Sequence, residues 1–388
     1  MLPGLPQFYP EANPLNLLPN ATFNGGIPMS ASAPIGSFLY ERRFPFYGYA
    51  TVWDFSGSIT RVLNAHNIKL GIFVEHATRP VQQRSAFNGT FSFNNDPGQA
   101  LNTNVGFANA LLGTVTSFQQ ADKRPIGHGH FLNTEFYAQD NWRISRTLTV
   151  DAGARFYYLP PTRSQGDQVA QFEPDLFDPA VAPLLYLPTT AAGSRRALNP
   201  LTNDSSLPAL YIGRPIPETG DFFNGTRVYD GTPQQRSPFV VAPRLGVAWN
   251  VTGDGKTAIR AGAGAFFDRY TENDILELTE LPPLVRTDTA NYTTIAELAT
   301  TPHDPTTSAM RRIQEFVPPV VYNWSASVQR DLGWSLAVEV SYVGNAARDQ
   351  SITRELNGRP YGYRFQPSNL DPTNVIGGVT QPLPDDLL

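Results

Sequence analysis

The sequence predicts an all-β protein whose antiparallel strands form a barrel wall able to cross a membrane. Three observations lead there. The first is the stretch TEFYAQDNWRISRTLTVDAGARFYY, Thr134–Tyr158, which holds two alternating runs joined by a short polar turn. The second is composition: 35 Pro and 31 Gly, 12% aromatic and only 16% charged residues favour turns and strands over surface helices. The third is the rhythm of connections, because short turns inside hairpins alternate with long Pro-rich segments between them. Outer-membrane barrels show that asymmetry, with the long loops outside.

In Leu148–Tyr158, the residues Leu148, Val150, Ala152, Ala154, Phe156 and Tyr158 share one face, and Thr149, Asp151, Gly153, Arg155 and Tyr157 share the other. Side chains of a strand alternate in this way, so one face is apolar and the other polar. Both arms have the length, roughly 9–11 residues, that a tilted strand needs to span a bilayer. Phe136, Tyr137, Trp142, Phe156 and Tyr158 crowd the ends, where interfacial girdles sit.

Taken in order, Met1–Tyr47 reads as loop with one short strand over Ile35–Arg43, because proline supplies no ladder donor. Tyr49–Val62 and IKLGIFVEHA form the first hairpin, with Lys69 and Glu75 facing the lumen. Arg79–Gln99 predicts a strand running into an external loop, and Gly106–Leu112 a short helix. After the opening hairpin, Leu159–Ser237 is long and irregular. Val240–Val251 and Thr257–Tyr270 form the next hairpin, with Leu245, Val247, Trp249, Ile259, Ala261 and Ala263 outward and Arg244 and Arg260 inward. Thr271–Pro319 is a second long loop, and Tyr322–Arg330 pairs with Leu336–Val343. The expected organisation is a loop-rich segment over 1–47, a partial barrel over 48–355 with long loops at 159–237 and 271–319, and a Pro/Asn-rich tail over 356–388. The count is about ten strands, an incomplete wall.

A net charge of −5 speaks against a nucleic-acid partner. Cysteine is absent, which excludes disulfides and thiolate metal sites. No run of 18 apolar residues occurs, so no transmembrane helix is expected. Gly255–Lys256–Thr257 ends like a phosphate loop, but Asn250 stands where its first glycine belongs, so a hairpin turn is the better account. AGAGA at 261–265 lacks the third glycine of a dinucleotide fingerprint. His128 and His130 are expected as exposed loop residues and not as a metal site. The expectation is no enzyme, no catalytic residue, no cofactor and no metal.

The segment FYAQDNWRISRTLTVDAGARF resembles the signature hairpin of TonB-dependent outer-membrane receptors, through Gln139, Asp140, Trp142, Arg143, Leu148, Thr149, Gly153 and Arg155. VGFANALLGTVTSF, APRLGVAWNVTGDGKTAIRAGAGAFFDRY and YNWSASVQRDLGWSLAVEVSYVGN are similar to further stretches of the Oar-like branch, in family order. The resemblance implies a transmembrane β-barrel of that receptor type in the bacterial outer membrane, closing with 22 strands in complete members. It implies outer-membrane lipid, the inner-membrane TonB complex and a large substrate as partners: an oligosaccharide, a peptide or a metal chelate. Substrate would meet the long loops, with Tyr211, Phe222, Phe223, Tyr229 and Tyr292 as candidate contacts. Met1–Gly36 has no basic, apolar secretory pattern, so the chain is expected to be a barrel segment of a longer receptor, without a plug or TonB box. The alternatives are a secreted soluble β-sandwich or propeller that binds carbohydrate, or an inactive gene fragment.

Overall fold

The computed structural model describes residues 5–24, 38–39, 41–96, 98–235, 239–306 and 310–388. Its main element is an antiparallel sheet of long strands that follow one another in space as in the chain. They are β1 (Thr51–Leu63), β2 (His66–Gln82), β3 (Ile126–Arg143), β4 (Leu148–Tyr158), β5 (Phe239–Asn250), β6 (Thr257–Phe267), β7 (Val320–Gly333) and β8 (Leu336–Arg348). Arg163–Ser164 adds a two-residue strand beside β3. In this meander the four hairpin turns lie at one end, and the three long connections at the other.

The register sorts the side chains as alternation predicts. Ile72, Phe136, Phe156 and Val241 stand in one cross-strand row, and Ile59, Leu70, Ala138 and Ala154 in another, all on the apolar face. The opposite face carries Ser58, Gly71, Tyr137, Arg155 and Ala242 in one row and Thr60, Lys69, Gln139, Gly153 and Arg244 in the next. Leu70, Phe136 and Leu245 are exposed, as lipid-facing residues are. Near the short-turn end of this face, His66 stacks on Trp142 at 5.2 Å and pairs with Asp140 at 2.6 Å. Titratable groups and an aromatic ring together fit the membrane interface better than its core.

The wall has eight long strands among the described residues, where alternation predicts about ten. The two that do not join are Ile35–Arg43 and FNGTFSFNND. The first lies partly outside the described residues; within them Phe38 makes a single bridge to Ala21. The second supplies only Thr90–Asn94, too short to span a bilayer, and pairs in another sheet. Among the described residues the wall is not closed, because β1 and β8 each pair on one side only.

That other sheet corrects the reading of the N-terminus and the long connections as loop. Asn20–Asn24, Thr90–Asn94, Thr114–Ala121, Thr287–Thr294 and Asp304–Pro305 form five adjacent strands, the first pair parallel. They enclose a core of Phe23, Phe91, Phe93, Val115, Phe118, Ala290 and Leu298. A helix over Gly106–Leu111 packs on it, close to the expected position. Segments from the N-terminus and from two long connections thus build one cap. Each is too short to bury an apolar face alone, and together they can.

Two buried polar groups tie residues 7–9 to this cap. The Gln120 Oε1 accepts from the backbone N–H of Phe8 at 2.8 Å and of Tyr9 at 3.1 Å, while its Nε2 donates to Phe87 O at 2.8 Å. Asp288, fully buried, accepts from Tyr9 Oη at 2.7 Å, Arg286 Nε at 2.5 Å and His303 Nδ1 at 2.7 Å. The segment Leu159–Ser237 also carries strands: Gln168–Phe172 pairs with Thr226–Asp230, and Leu187–Ala191 with Ser194–Leu198. In residues 356–388, Leu370–Ile376 pairs with Val379–Pro382, and buried Asp371 receives Arg195 at 2.6 Å.

Glu280, in a helical turn at Glu277–Glu280, has a buried Oε2 with no hydrogen-bond partner among the described residues. Burial pushes its carboxyl above the ordinary glutamate range. A raised folded value favours the protonated acid, so stability falls as pH rises from the unfolded value through the folded one. Glu280→Gln is therefore expected to melt higher than the parent at pH 7 and no higher at pH 4. Equal melting at both pH values would refute this.

Candidate functional site

The polar face of the wall is the side onto which the third long connection folds. Arg269, just past β6, donates to Asn133 Oδ1 and to Pro160 O, and its guanidinium lies 4.5 Å from the Phe131 ring centroid. Asn133 and Phe131 alternate with the apolar row, so Arg269 sits on the lumen side. Burial lowers its guanidinium to about 10, against the attraction of Glu75, Asp268 and Glu272, so it stays charged at neutral pH. Next along the chain, Glu272 and Asn273 take Arg79 Nη1 at 2.8 and 3.1 Å. Leu276 lies over Gly127, where a Cβ would meet its Cδ2 at 2.8 Å. Any larger residue there would have to push the Leu276 side chain off the strand. The connection thus clamps the upper inner wall and does not hang free above it.

Below the clamp, Glu135 pairs with Arg155 at 2.6 Å, and Asn133 donates to Glu75 at 2.9 Å. Lys69 and Glu75 face the lumen as the alternation predicts. The sequence had no signal for Arg269 as an anchor, since its partners lie more than a hundred residues away along the chain.

The loop aromatics fall into separate places. Tyr211 and Tyr292 flank Arg214: the guanidinium lies 5.7 Å from the Tyr211 ring centroid, and its charge acts on Tyr292. Burial pushes the Tyr292 phenol above its ordinary range, helped by its 2.9 Å hydrogen bond to Asp96. Tyr292 takes a φ of +50° where the cap ladder skips a pair, a conformation that L side chains rarely adopt. Burial likewise lowers the Arg214 guanidinium. Tyr229 belongs elsewhere, bonded to Glu173, with Arg227 5.1 Å from its ring centroid. Phe222 and Phe223 are half-buried in the turn before Thr226–Asp230. The structure brings two of the five together.

His128 and His130 lie within β3 and not in a loop. His128 Nδ1 meets Asp167 at 2.9 Å, while His130 lies 4.9 Å from His76, ring to ring. The turn Gly253–Lys256 is a hairpin connection between β5 and β6, closed by Asn250 and Asp254 side chains accepting backbone N–H groups. No helix among the described residues is long and apolar enough to cross a membrane, which says nothing of strands.

The family model described as outer membrane beta barrel domain matches residues 2–383. The chain belongs to this family. As an outer membrane β-barrel domain it is a protein of the bacterial outer membrane, and this sets aside the secreted, soluble alternative. The apolar face of the wall is then the lipid face, and the clamped face the lumen. Among solved structures, the outer membrane transporter YddB from Escherichia coli is similar over 78% of this chain and 26% of its own, at 12% identity and a TM-score of 0.38. The CymD monoaromatic hydrocarbon channel is similar over 78% of this chain and 61% of its own, at 8% identity and a TM-score of 0.23. The barrel domain thus spans about a quarter of that transporter. No curated protein sequence matches it.

Proposed function

We propose that this barrel domain is part of the wall and outer cap of a TonB-dependent receptor of the Oar-like branch. In this reading it takes up a large substrate, an oligosaccharide, a peptide or a metal chelate, and performs no catalysis. The observation that supports it best is the clamp of Arg269, Glu272 and Leu276 on the luminal face. A long connection folded into the lumen beneath a packed cap suits a gated passage, not an open pore. The motif hairpin supports the receptor type: Gln139 and Gly153 form one pair on the luminal face, and Trp142 lies on the lipid face near the short-turn end. Substrate would first meet the cap, where Tyr211, Arg214 and Tyr292 converge, with Phe222, Phe223 and Tyr229 on neighbouring loops. Outer-membrane lipid surrounds the apolar face, and strands pairing along β1 and β8 complete the wall, since unpaired backbone edges are not viable in lipid. The inner-membrane TonB complex supplies the energy.

The test is uptake by cells producing the protein in its native context. Fluorescent oligosaccharides, peptides and metal chelates are offered with and without functional TonB. Saturable accumulation of one class that disappears without TonB is the expected result. Accumulation indifferent to TonB would reject the receptor reading in favour of a passive channel. No accumulation of any class would favour the inactive gene fragment.

A further inference from the structure

The luminal wall below the clamp holds a basic strip of which, among the described residues, only Arg155 has an ion-pair partner, Glu135. Ser56, Ser58, Lys69, Phe73, Tyr137 and Arg155 line a groove of about 380 Å³. Its floor is the Tyr137 ring, lying flat on Gly71, where a Cβ would come within 2.3 Å of ring carbons. Any side chain at position 71 would lift the ring. Lys69 Nζ lies 5.9 Å and Arg155 Cζ 5.2 Å from the ring centroid, so two cations lie close to one ring. Arg244 stands in the same cross-strand row as Lys69, three strands along, about 14 Å away by the strand spacing.

Three of the carboxylates on this face are engaged, while Asp54, in the row of Glu75, makes no hydrogen bond or ion pair with a described residue. Glu135 holds Arg155, Glu75 takes Asn133 and sits beside Arg269, and Asp151 takes Asn141 at 2.5 Å. Lys69 and Arg244 make no side-chain hydrogen bond or ion pair with any described residue. Lys69 thus lines the groove without an anionic partner among the described residues, Arg155 is shared with Glu135, and Arg244 lies over the Phe266 ring at 4.6 Å, so an entering anion meets one free ammonium beside a guanidinium. The hydroxyls of Ser56 and Ser58 add donors that can serve an anion but do not require one.

We propose that the Lys69–Tyr137–Arg155 strip, extended by Arg244, binds an anionic group of the transported solute, a carboxylate or a phosphate, with the Tyr137 ring packing against the solute's apolar surface. This rests on the transport reading and narrows its substrate to one carrying negative charge. The test uses the protein purified from outer membranes in detergent and titrated calorimetrically at low salt with citrate, inorganic phosphate and glucose. Saturable binding of citrate or phosphate, absent for glucose and weakened by added salt, is expected, and the tighter of the two identifies the group. Lys69→Gln should weaken that binding at least about fivefold, the loss expected when a charge-assisted contact goes. Lys69→Arg should keep it. Lys69 makes no hydrogen bond or ion pair with a described residue, so the variants should fold, which heat-modifiable gel mobility checks. Glucose binding as well as the anions, no binding of either anion, or an unchanged Lys69→Gln would each overturn the proposal. Anion binding without any uptake would reject the transport reading and leave the site standing. Uptake that ignores Lys69→Gln would do the reverse.

Discussion

Asp288→Ala is expected to release residues 5–13 from the cap and to lower the cap's melting temperature more than any other single substitution there. The carboxylate is fully buried and holds three partners: Tyr9, from the far end of the chain, at 2.7 Å, the nearby Arg286 at 2.5 and 2.8 Å, and His303 at 2.7 Å. Burial, together with the hydrogen bond to Asp288, holds the Tyr9 phenol above its ordinary range, so it remains a donor at any physiological pH. His303 also stacks on Phe8 at 4.2 Å, so losing its carboxylate loosens an apolar contact as well. Arg286 and His303 are partly exposed and can turn to water, so the cost comes chiefly from losing the buried acceptor and its three hydrogen bonds, which are worth about 1.5–3 kcal/mol each when charge-assisted. Asp288→Asn keeps the shape and two lone pairs and should cost less, on the order of 1–3 kcal/mol. Hydrogen exchange over residues 5–13 and thermal melting read both. Unchanged protection of that segment in Asp288→Ala would show that Gln120 alone holds it.

Leu70→Arg is expected to block insertion, while Ser325→Arg is tolerated. Leu70 lies between Ile59 and Ala138 on the apolar face, about five residues above the short turn and so near mid-depth of a span of roughly 9–11 residues. A guanidinium there has only lipid tails around it, at a cost of about 2–4 kcal/mol. Ser325 pairs with Gly262 and Val343 on the opposite face, where water fills the lumen. Urea titration of folding into lipid vesicles, followed by heat-modifiable mobility, separates the two. Equal losses would mean that the faces are misassigned.

These two changes mark the limits of what could be read from residues alone. The wall was legible because a strand that meets lipid on one side and water on the other must alternate at every second residue. Leu148–Tyr158 and its partner therefore announced their faces without any knowledge of neighbours, and their register followed from a four-residue turn. The cap was not legible. Thr287–Thr294, TDTANYTT, is nearly all polar, and Asn20–Asn24 follows a Pro-rich run, so neither carries a strand signal. Its strands are held by segments from far along the chain, as with Gln120 and Phe8. The long connections were therefore taken as loop, and the histidines of β3 as loop residues.

The candidate site divides in the same way. Lys69 and Arg155 could be placed in the lumen by parity, but only the pairing of β2, β3 and β4 brings both to one tyrosine ring. Tyr211 and Tyr292 were named as separate loop aromatics, and only the cap brings both to Arg214. The sequence by itself determined an antiparallel membrane wall, because periodicity is a local consequence of the environment on each face. The tertiary structure alone decided what covers that wall and where its charges converge, because those contacts join segments that no local pattern connects.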